Sequence, residues 1–335
     1  MTTKDVIIVG AGPAGLATAI AATRAGLDAQ VLEKGVLVNS LFHYPTHMVF
    51  FTTPELMEIG GLPFVTPFEK PTRLEALRYY RRAADTYHLD ILLGETVVSV
   101  GREIVDGTEV FGVETRSARG VRRARHARTV VIATGAYDVP NRLGVEGEDL
   151  PHVSHYYREA HPHYRQNVVV VGGRNSAAEA ALDLYRHGAH VTLVHRGPAL
   201  SDSIKYWVRP DIENRIREGA ITALFDTRVL EIQPAAVVVS TAGVRREIPA
   251  DAVFLLTGYR SDTELLRRAG VAIDPDTCGP VYDPETFETN VPGVYVAGAV
   301  VAGVHSGKIF IENGRFHGEV VVRSILKRLG ARAGG

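Results

Sequence analysis

Cysteine is nearly absent from the chain, since Cys278 is the single cysteine among 335 residues. One thiol excludes an intramolecular disulfide, a Cys-x-x-Cys redox pair and a cysteine-rich metal site. Four histidines, His152, His155, His161 and His163, lie near one another, but their spacing matches no familiar ligand set. We therefore predict no metal site, and chemistry on thiols would need a sulfur from outside the chain.

A long apolar run and an excess of either charge are also missing. The N-terminal apolar stretch, residues 6–22, is interrupted by Gly10, Gly12, Pro13 and Gly15, and no later stretch approaches the length of a bilayer span. Lys and Arg total 37 against 38 Asp and Glu, so no overall field favours nucleic acid or an anionic membrane. We expect a cytoplasmic protein with neither kind of partner, and its length predicts two domains.

The chain does contain one strand, turn and helix unit that is present twice. In the first copy, the apolar run 6–9 enters a Gly-Ala-Gly-Pro-Ala-Gly turn at residues 10–15. In the second copy, the run 168–171 enters a Gly-Gly-Arg-Asn-Ser-Ala turn at residues 172–177. An alanine-rich stretch and a second apolar run follow each turn. These are βαβ units in which glycines let the backbone approach a pyrophosphate at a helix N-terminus, so two copies predict two nucleotide sites.

The residue after the second strand of each unit indicates which dinucleotide fits. Glu33 and His195 lie equally far from the first glycines of their copies, Gly10 and Gly172. A carboxylate accepts hydrogen bonds from both ribose hydroxyls, which suits FAD or NAD, and it repels a 2′-phosphate. His195 is followed by Arg196, and a cation suits the 2′-phosphate of NADPH, although a solvated turn residue is the alternative for this arginine. We predict FAD in the first copy and NADPH in the second.

The remaining pattern predicts a discontinuous first domain of an α/β fold. A helix is expected over residues 73–88, and a β-meander over the short strands 91–93, 97–100, 110–114 and 130–133. The two Rossmann-like domains are each expected to have three layers in ββα order. Their predicted bounds are 1–138 for the first part of the FAD domain, 139–258 for the NADPH domain and 259–335 for the second part of the FAD domain.

With these motifs, the chain resembles the low-molecular-weight thioredoxin reductase-like flavoproteins over nearly its full length. Within that group, residues 51–64, 70–73, 173–177 and 305–315 resemble the bacillithiol disulfide reductases. The resemblance implies flavin contacts at Gly10, Gly12, Pro13, Ala14, Gly15, Glu33, Lys34, Ser40, His47, Val98, Thr134, Gly135, Gly298, Lys308 and Ile309. The second glycine loop and the strand ends of its domain add cofactor contacts at Gly172, Arg174, Asn175, Ser176, His195, Arg196 and Gly258. No residue is assigned a catalytic role.

Three departures from the family pattern bear on the chemistry. Without a Cys-x-x-Cys pair, thioredoxin reduction by that mechanism is excluded. Ala14 stands where many bacillithiol-type members have cysteine, so a route through a thiol at that place is excluded too. Ala299 follows Gly298 where flavoproteins commonly have Gly-Asp, and the resemblance to the bacillithiol group includes this kind of change.

The resemblance implies that hydride passes from NADPH to FAD and that reduced flavin donates to a low-molecular-weight disulfide, with bacillithiol disulfide first. It also implies a homodimer and a rotation of the two domains about crossovers near 139 and 259. A ferredoxin or flavodoxin NADP reductase is the nearest alternative, although the tail after Leu329 lacks the aromatic residue that such enzymes often stack on the flavin. A redox sensor that binds FAD and NADPH without turnover is the second alternative.

Overall fold

The computed structural model describes residues 2–305 and 307–333 of the chain. These residues form two compact units. Unit 1 comprises Met1–Phe42, Met48–Val139 and Tyr259–Gly335, and unit 2 comprises His43–His47 and Pro140–Gly258. The chain changes units after Val139 and after Gly258, whereas the grouping of the short segment His43–His47 with unit 2 is not predicted by the sequence.

The secondary structure follows the βαβ pattern of the two glycine-rich units. The strands are β1 (Lys4–Val9), β2 (Ala29–Glu33), β3 (Ile91–Leu93), β4 (Glu95–Val105), β5 (Thr108–Ser117), β6 (Arg122–Ile132), β7 (Val139–Pro140), β8 (Val153–Ser154), β9 (Asn167–Val171), β10 (His190–Val194), β11 (Thr222–Leu224), β12 (Thr227–Gln233), β13 (Ala236–Thr241), β14 (Val244–Pro249), β15 (Ala252–Leu255), β16 (Tyr259–Arg260) and β17 (Val294–Val296). The helices are α1 (Pro13–Arg24), α2 (Asn39–Phe42), α3 (Arg73–Thr86), α4 (Asn175–Arg186), α5 (Arg209–Arg217), α6 (Glu264–Arg268), α7 (Ile311–Gly314) and α8 (His317–Ala333), with 3₁₀ turns at Pro54–Met57, His161–His163 and Gly298–Ala302. In the part of the chain that the structure describes, no helix combines the length and the apolar character needed to cross a membrane.

Strand β6 joins the two kinds of sheet in unit 1. Its first half, with exposed arginines, pairs antiparallel with β5, and β5 pairs antiparallel with β4, so the meander consists of β4, β5 and this half of β6. The prediction that strands 91–93 and 130–133 also belong to the meander is wrong, because β3 pairs in parallel with β2 and the end of β6 lies in the parallel sheet. Its second half is a buried apolar run that pairs in parallel with β1 and β17. A run buried on both faces is typical of a central parallel strand, so the change of composition along β6 accounts for its two roles.

The core of unit 1 lies on both faces of its parallel sheet. On one face, Ile7, Val9 and Ile132 pack with Phe111 and Val113 of the meander. On the other side, α1 and α8 approach closely, because a Cβ on Gly318 would lie 2.6 Å from the Cα of Thr18. Sheet, meander and helices therefore form three layers, and the last helix of the chain closes the first domain.

Unit 2 repeats this architecture on a smaller scale. Its parallel sheet has the order β11-β10-β9-β15-β8, beside a three-stranded antiparallel sheet of β12, β13 and β14. Val168 and Val170 of β9 pack toward α4, whereas Val169 and Val171 pack with residues of the antiparallel sheet. This alternation along one strand places a helix layer and a sheet layer on opposite faces. The predicted α/β fold with two Rossmann-like domains is confirmed.

The predicted helix over residues 73–88 is observed as α3. Thr72 caps it, since the Thr72 hydroxyl accepts a hydrogen bond from the Glu75 N–H and a Glu75 carboxylate oxygen accepts one from the Thr72 N–H. The helix ends at Thr86, and His88 has a positive φ of 48°. The left-handed backbone at His88 turns the chain into β3.

Candidate functional site

The first glycine loop connects β1 to α1, and its three glycines have different surroundings. Gly10 has a φ of 108°, and a Cβ there would lie 2.5 Å from the carbonyl oxygen of Ala133 at the end of β6. A Cβ on Gly15 would overlap the carbonyl oxygen of Gly10. Gly12 is different, because a Cβ there would meet no atom within 4 Å. Gly10 and Gly15 are needed for packing, and Gly12 leaves open space at the N-terminus of α1, as a bound pyrophosphate requires.

Glu33 is the last residue of β2, and its carboxylate is buried against the same loop. One oxygen accepts a hydrogen bond from the Ala11 N–H and the other from the Gly35 N–H, both at 2.8 Å. Burial raises the pKa of the Glu33 carboxyl, and the two N–H groups act in the opposite direction. Each carboxylate oxygen can accept a further hydrogen bond, so the side chain can receive ribose hydroxyls while it stays fixed on the loop.

Other predicted flavin contacts in unit 1 surround this loop. Gly298 has a φ of 74°, and a Cβ there would lie 2.6 Å from the Cβ of Ala14. The Gly298 N–H donates to Nδ1 of His317 at 3.1 Å, and burial lowers the pKa of this imidazole to about 4. Gly135, just after β6, has a φ of 75° and open space at its Cβ position. The loop, the end of β6 and the start of the 3₁₀ turn at Gly298 thus form one cluster with small side chains.

The segment that carries Ser40 returns to the glycine loop as well. The Val38 N–H donates to the carbonyl oxygen of Ala11 at 3.1 Å, just before α2. Lys34, which follows Glu33, forms an ion pair with Asp138 at 2.8 Å. An acidic residue far away in the sequence gives no local signal of such a pair.

The remaining predicted flavin contacts are more dispersed. Val98 lies at a register irregularity of β4, and its carbonyl oxygen accepts a hydrogen bond from Arg268 at 3.3 Å. Lys308 and Ile309 precede α7, where Ile309 lies beside Gly314. Pro13 begins α1 and Thr134 follows β6 beside Gly10. His47 belongs to the segment that groups with unit 2, so unit 1 by itself does not bring it to the glycine loop.

The second glycine loop, between β9 and α4, is built differently. Gly172 has a φ of 153°, and a Cβ there would lie 2.6 Å from the carbonyl oxygen of Leu256. A Cβ on Gly173 would overlap the ring of His195. Arg174 occupies the place that Gly12 has in the first loop, and it is exposed at the N-cap of α4. The open position of the first loop is therefore replaced here by a cationic side chain.

The imidazole of His195 lies among charged groups at the end of β10. Burial lowers the pKa of His195, and the nearby guanidinium groups of Arg196 and Arg174 lower it further, against a smaller opposite effect of Asp226. The exposed Arg196 follows it directly. Where the first copy has the buried anion Glu33, this copy has an imidazole accompanied by two permanent cations, an environment suited to a phosphate.

Asn175, predicted as a cofactor contact, uses both polar atoms of its amide to hold another loop. Its Nδ2 donates to the Ser203 carbonyl at 3.0 Å, and its Oδ1 accepts from the Lys205 N–H at 2.9 Å. Ser176 is exposed in the first turn of α4. Gly258, after β15, has a φ of 91°, and its carbonyl oxygen accepts a hydrogen bond from the Asn141 N–H at 2.9 Å.

Within the described residues, neither the histidines at 152–163 nor Cys278 belong to a metal-binding group. Among residues 2–305 and 307–333, no group of three or more His, Cys, Asp or Glu side chains could hold a metal ion. His155 instead faces the carboxylate of Glu148 at 3.3 Å in unit 2. Cys278 is exposed in a turn with a φ of 52°.

Comparisons with known proteins agree with this geometry. The model of the family described as pyridine nucleotide-disulphide oxidoreductase matches residues 7–298. Bacilliredoxin reductase Bdr of Bacillus subtilis is 42% identical over 329 residues, which cover 98% of this chain and 99% of the relative. The solved structure of bacillithiol disulfide reductase Bdr (YpdA) from Bacillus cereus is similar with a TM-score of 0.94 and 41% identity, covering 98% of this chain and all of that one. A ferredoxin–NADP reductase of Bacillus licheniformis is 27% identical over 326 residues, 93% of this chain and 85% of the relative.

Proposed function

Since the chain belongs to the pyridine nucleotide-disulphide oxidoreductase family, we propose that it reduces bacillithiol disulfide with electrons that pass from NADPH through FAD. The resemblance to the bacillithiol disulfide reductases expected from the sequence is confirmed by relatives at 42% and 41% identity over nearly the whole chain. The observation that carries the proposal is the pair of glycine loops, one with Glu33 and the other with His195 and Arg196. Two dinucleotide sites of different charge in one chain are what an NADPH-dependent flavoprotein needs.

The residues of the first loop fit FAD. Open space at Gly12 admits the pyrophosphate to the N-terminus of α1, where backbone N–H groups and the helix dipole favour an anion. Glu33, fixed by the N–H groups of Ala11 and Gly35, would accept the hydroxyls of the adenosine ribose. Gly298 packs so closely on Ala14 that a Cβ there would lie 2.6 Å from the Ala14 Cβ, so only glycine lets the backbone of the 3₁₀ turn come this close to the loop.

The residues of the second loop fit NADPH. Arg196 and Arg174 would bind the phosphates, and His195 fills the space over Gly173 where the first copy has a carboxylate. The buried Glu33 of the first copy would repel a 2′-phosphate, whereas the second copy has two cations near the corresponding place. When bound, NADPH supplies the hydride and FAD the acceptor, and this electron chemistry belongs to the cofactors.

The acceptor must bring its own sulfur atoms. The chain has one cysteine, so it has no internal pair of thiols through which electrons could pass, and Ala14 provides none at the glycine loop. Reduction of one bacillithiol disulfide takes two electrons and two protons, breaks one S–S bond and releases two thiols. An external low-molecular-weight disulfide supplies the sulfur atoms that the chain lacks.

Anaerobic rapid mixing of the FAD-loaded protein with NADPH or NADH tests this proposal, with acceptors added in a second step. We expect fast loss of the flavin absorbance with NADPH, slow loss with NADH, and reoxidation by bacillithiol disulfide. Reoxidation only by ferredoxin or flavodoxin would favour the electron-transfer reductase, which the relative at 27% identity represents. Absence of flavin reduction would favour the redox sensor that binds FAD and NADPH without turnover. The cytoplasmic location and the homodimer stay predictions.

A further inference from the structure

The loop of residues 198–208 is tied to the second glycine loop by backbone and side-chain hydrogen bonds. The Ser201 N–H donates to the carbonyl oxygen of Gly173 at 2.9 Å. Asn175 adds two more bonds, from its Nδ2 to the Ser203 carbonyl and from the Lys205 N–H to its Oδ1. A loop held at three points to the residues that begin α4 has a defined position beside the predicted pyrophosphate site.

The same loop exposes two large aromatic side chains. Tyr206 and Trp207 are 80% and 43% exposed, and their rings meet edge to face with centroids 4.8 Å apart. The ammonium group of Lys205 lies 5.8 Å from the centroid of the Trp207 ring. Side chains of this size are usually buried, and Trp207 is the single tryptophan of the chain. A bound ligand that covers the ring would account for its exposure beside a predicted nucleotide loop.

The position of the loop in the sequence indicates which part of a nucleotide it would meet. Its first residue comes two positions after Arg196, which is proposed to bind the 2′-phosphate. At the proposed pyrophosphate end, Ser201 is tied to Gly173, and Lys205, which directly precedes the aromatic pair, is tied to Asn175. The adenosine of NADPH lies between these two phosphates. A flat base is well suited to stacking on an aromatic ring, and such stacking is tolerant of the surrounding sequence.

We infer that residues 198–208 form a wall of the NADPH site, with Trp207 and Tyr206 as the surface on which the adenine stacks and Asn175 as the residue that positions the loop. This inference rests on the proposed function and adds to it residues that bind the base. Asn175 is then a positioning residue, since its amide contacts the loop and leaves the stacking to the aromatic pair.

Titration of the FAD-loaded protein with NADP⁺ and with 2′,5′-ADP, which has the adenine and the 2′-phosphate but no nicotinamide, tests the inference. We expect quenching of the Trp207 fluorescence by both ligands. Calorimetry of Trp207→Leu should show both dissociation constants raised by about tenfold, within the range that removal of one stacking ring produces. Asn175→Ala should give a similar rise, because it releases the loop. The double variant with Trp207→Leu should bind no more weakly than Trp207→Leu alone, since Asn175 acts through the aromatic pair.

Tyr164→Leu is the matched control, because Tyr164 is an aromatic residue of the same unit with 58% exposure. It should bind both ligands like the wild type, and both Trp207→Leu and Tyr164→Leu should keep the flavin content and unfolding temperature of the wild type. If the wild type binds 2′,5′-ADP and Trp207→Leu binds it equally well, the inference that the adenine stacks on Trp207 is overturned. The reductase proposal would remain intact. A wild-type protein that binds neither ligand would overturn both.

Discussion

The carboxylate of Glu33 accepts a hydrogen bond from the backbone N–H of Ala11, the residue that follows the first glycine of its loop. In the second copy, the ring of His195 lies against Gly173, which also follows the first glycine. Both copies therefore join the end of the second strand to the glycine loop through the same pair of positions. One does so with a buried anion and the other with an imidazole near two arginines, and the proposed cofactor preferences follow from this difference.

Replacement of Glu33 by glutamine should weaken flavin binding. The amide keeps the size of the carboxylate, but its NH₂ group would face either the Ala11 N–H or the Gly35 N–H, so two donors would meet in a buried place. Such a mismatch costs about 1–3 kcal/mol, and we expect a loss of FAD affinity of about tenfold or more. The ratio of flavin to protein absorbance and titration of the apoprotein with FAD measure this effect. Glu285→Gln, an exposed change in the same unit, is the control, and normal FAD affinity of Glu33→Gln would contradict the role of Glu33.

Two alanine substitutions in the first glycine loop should affect different properties, one FAD binding and the other the stability of the apoprotein. A Cβ on Gly12 meets no protein atom within 4 Å, so Gly12→Ala should keep the unfolding temperature of the apoprotein and lose FAD. A Cβ on Gly15 overlaps the Gly10 carbonyl, so Gly15→Ala should destabilise the apoprotein itself. Thermal unfolding of the two apoproteins, followed by FAD titration, distinguishes them. Equal destabilisation by both changes would argue against an open pyrophosphate position at Gly12.

Replacement of Arg196 by alanine should reduce the preference for NADPH over NADH. A guanidinium paired with a phosphate contributes about 1.5–3 kcal/mol, so kcat/KM with NADPH should fall by about tenfold to a hundredfold. The value with NADH should change little, because NADH has a hydroxyl in place of the 2′-phosphate. Steady-state kinetics with both nucleotides measure the change, and Arg245→Ala, an exposed change in the same unit, is the control. An equal loss with NADPH and NADH would place Arg196 elsewhere on the nucleotide.

Local patterns in the sequence were sufficient for the parts of the fold that depend on neighbouring residues. The two glycine loops, the helix after each loop and the strand Ile91–Leu93 follow from spacing and apolar periodicity, and the structure has them. The antiparallel strands β12, β13 and β14 were not identified. The buried valines 237–239 of β13 are consecutive, and β14 is almost entirely exposed, so neither strand shows the regular alternation that identifies a half-buried strand in a sequence.

Features that depend on long-range contacts could not be predicted. Lys34 is a predicted flavin contact, but its ion pair with Asp138 joins positions far apart in the chain. Asn175 is a predicted NADPH contact, but the loop that its amide binds has no motif of its own. The same limit applies to His317, whose importance for Gly298 becomes visible only when α8 is packed beside the 3₁₀ turn. A sequence pattern indicates which residues can bind a nucleotide, whereas the residues that hold them in place come from packing.

His317 should make the folded protein sensitive to acid. Its neutral ring accepts the Gly298 N–H at Nδ1, and burial lowers the pKa of the folded-state imidazole to about 4 from an ordinary value of 6.5. Between these two values the unfolded chain binds a proton that the folded chain does not, so the free energy of unfolding falls as the pH decreases. At about pH 5 this group should remove about 2 kcal/mol of stability relative to neutral pH.

Urea unfolding at about pH 7.5 and about pH 5 measures this loss in the wild type and in His317→Asn. The asparagine Oδ1 can still accept the Gly298 N–H, but the side chain does not titrate, so the variant should lose less stability between the two pH values. Flavin retention should follow the same order, because Gly298 lies against Ala14 of the glycine loop. Equal losses in wild type and variant would show that other groups cause the acid sensitivity and that His317 is charged or exposed in the folded protein.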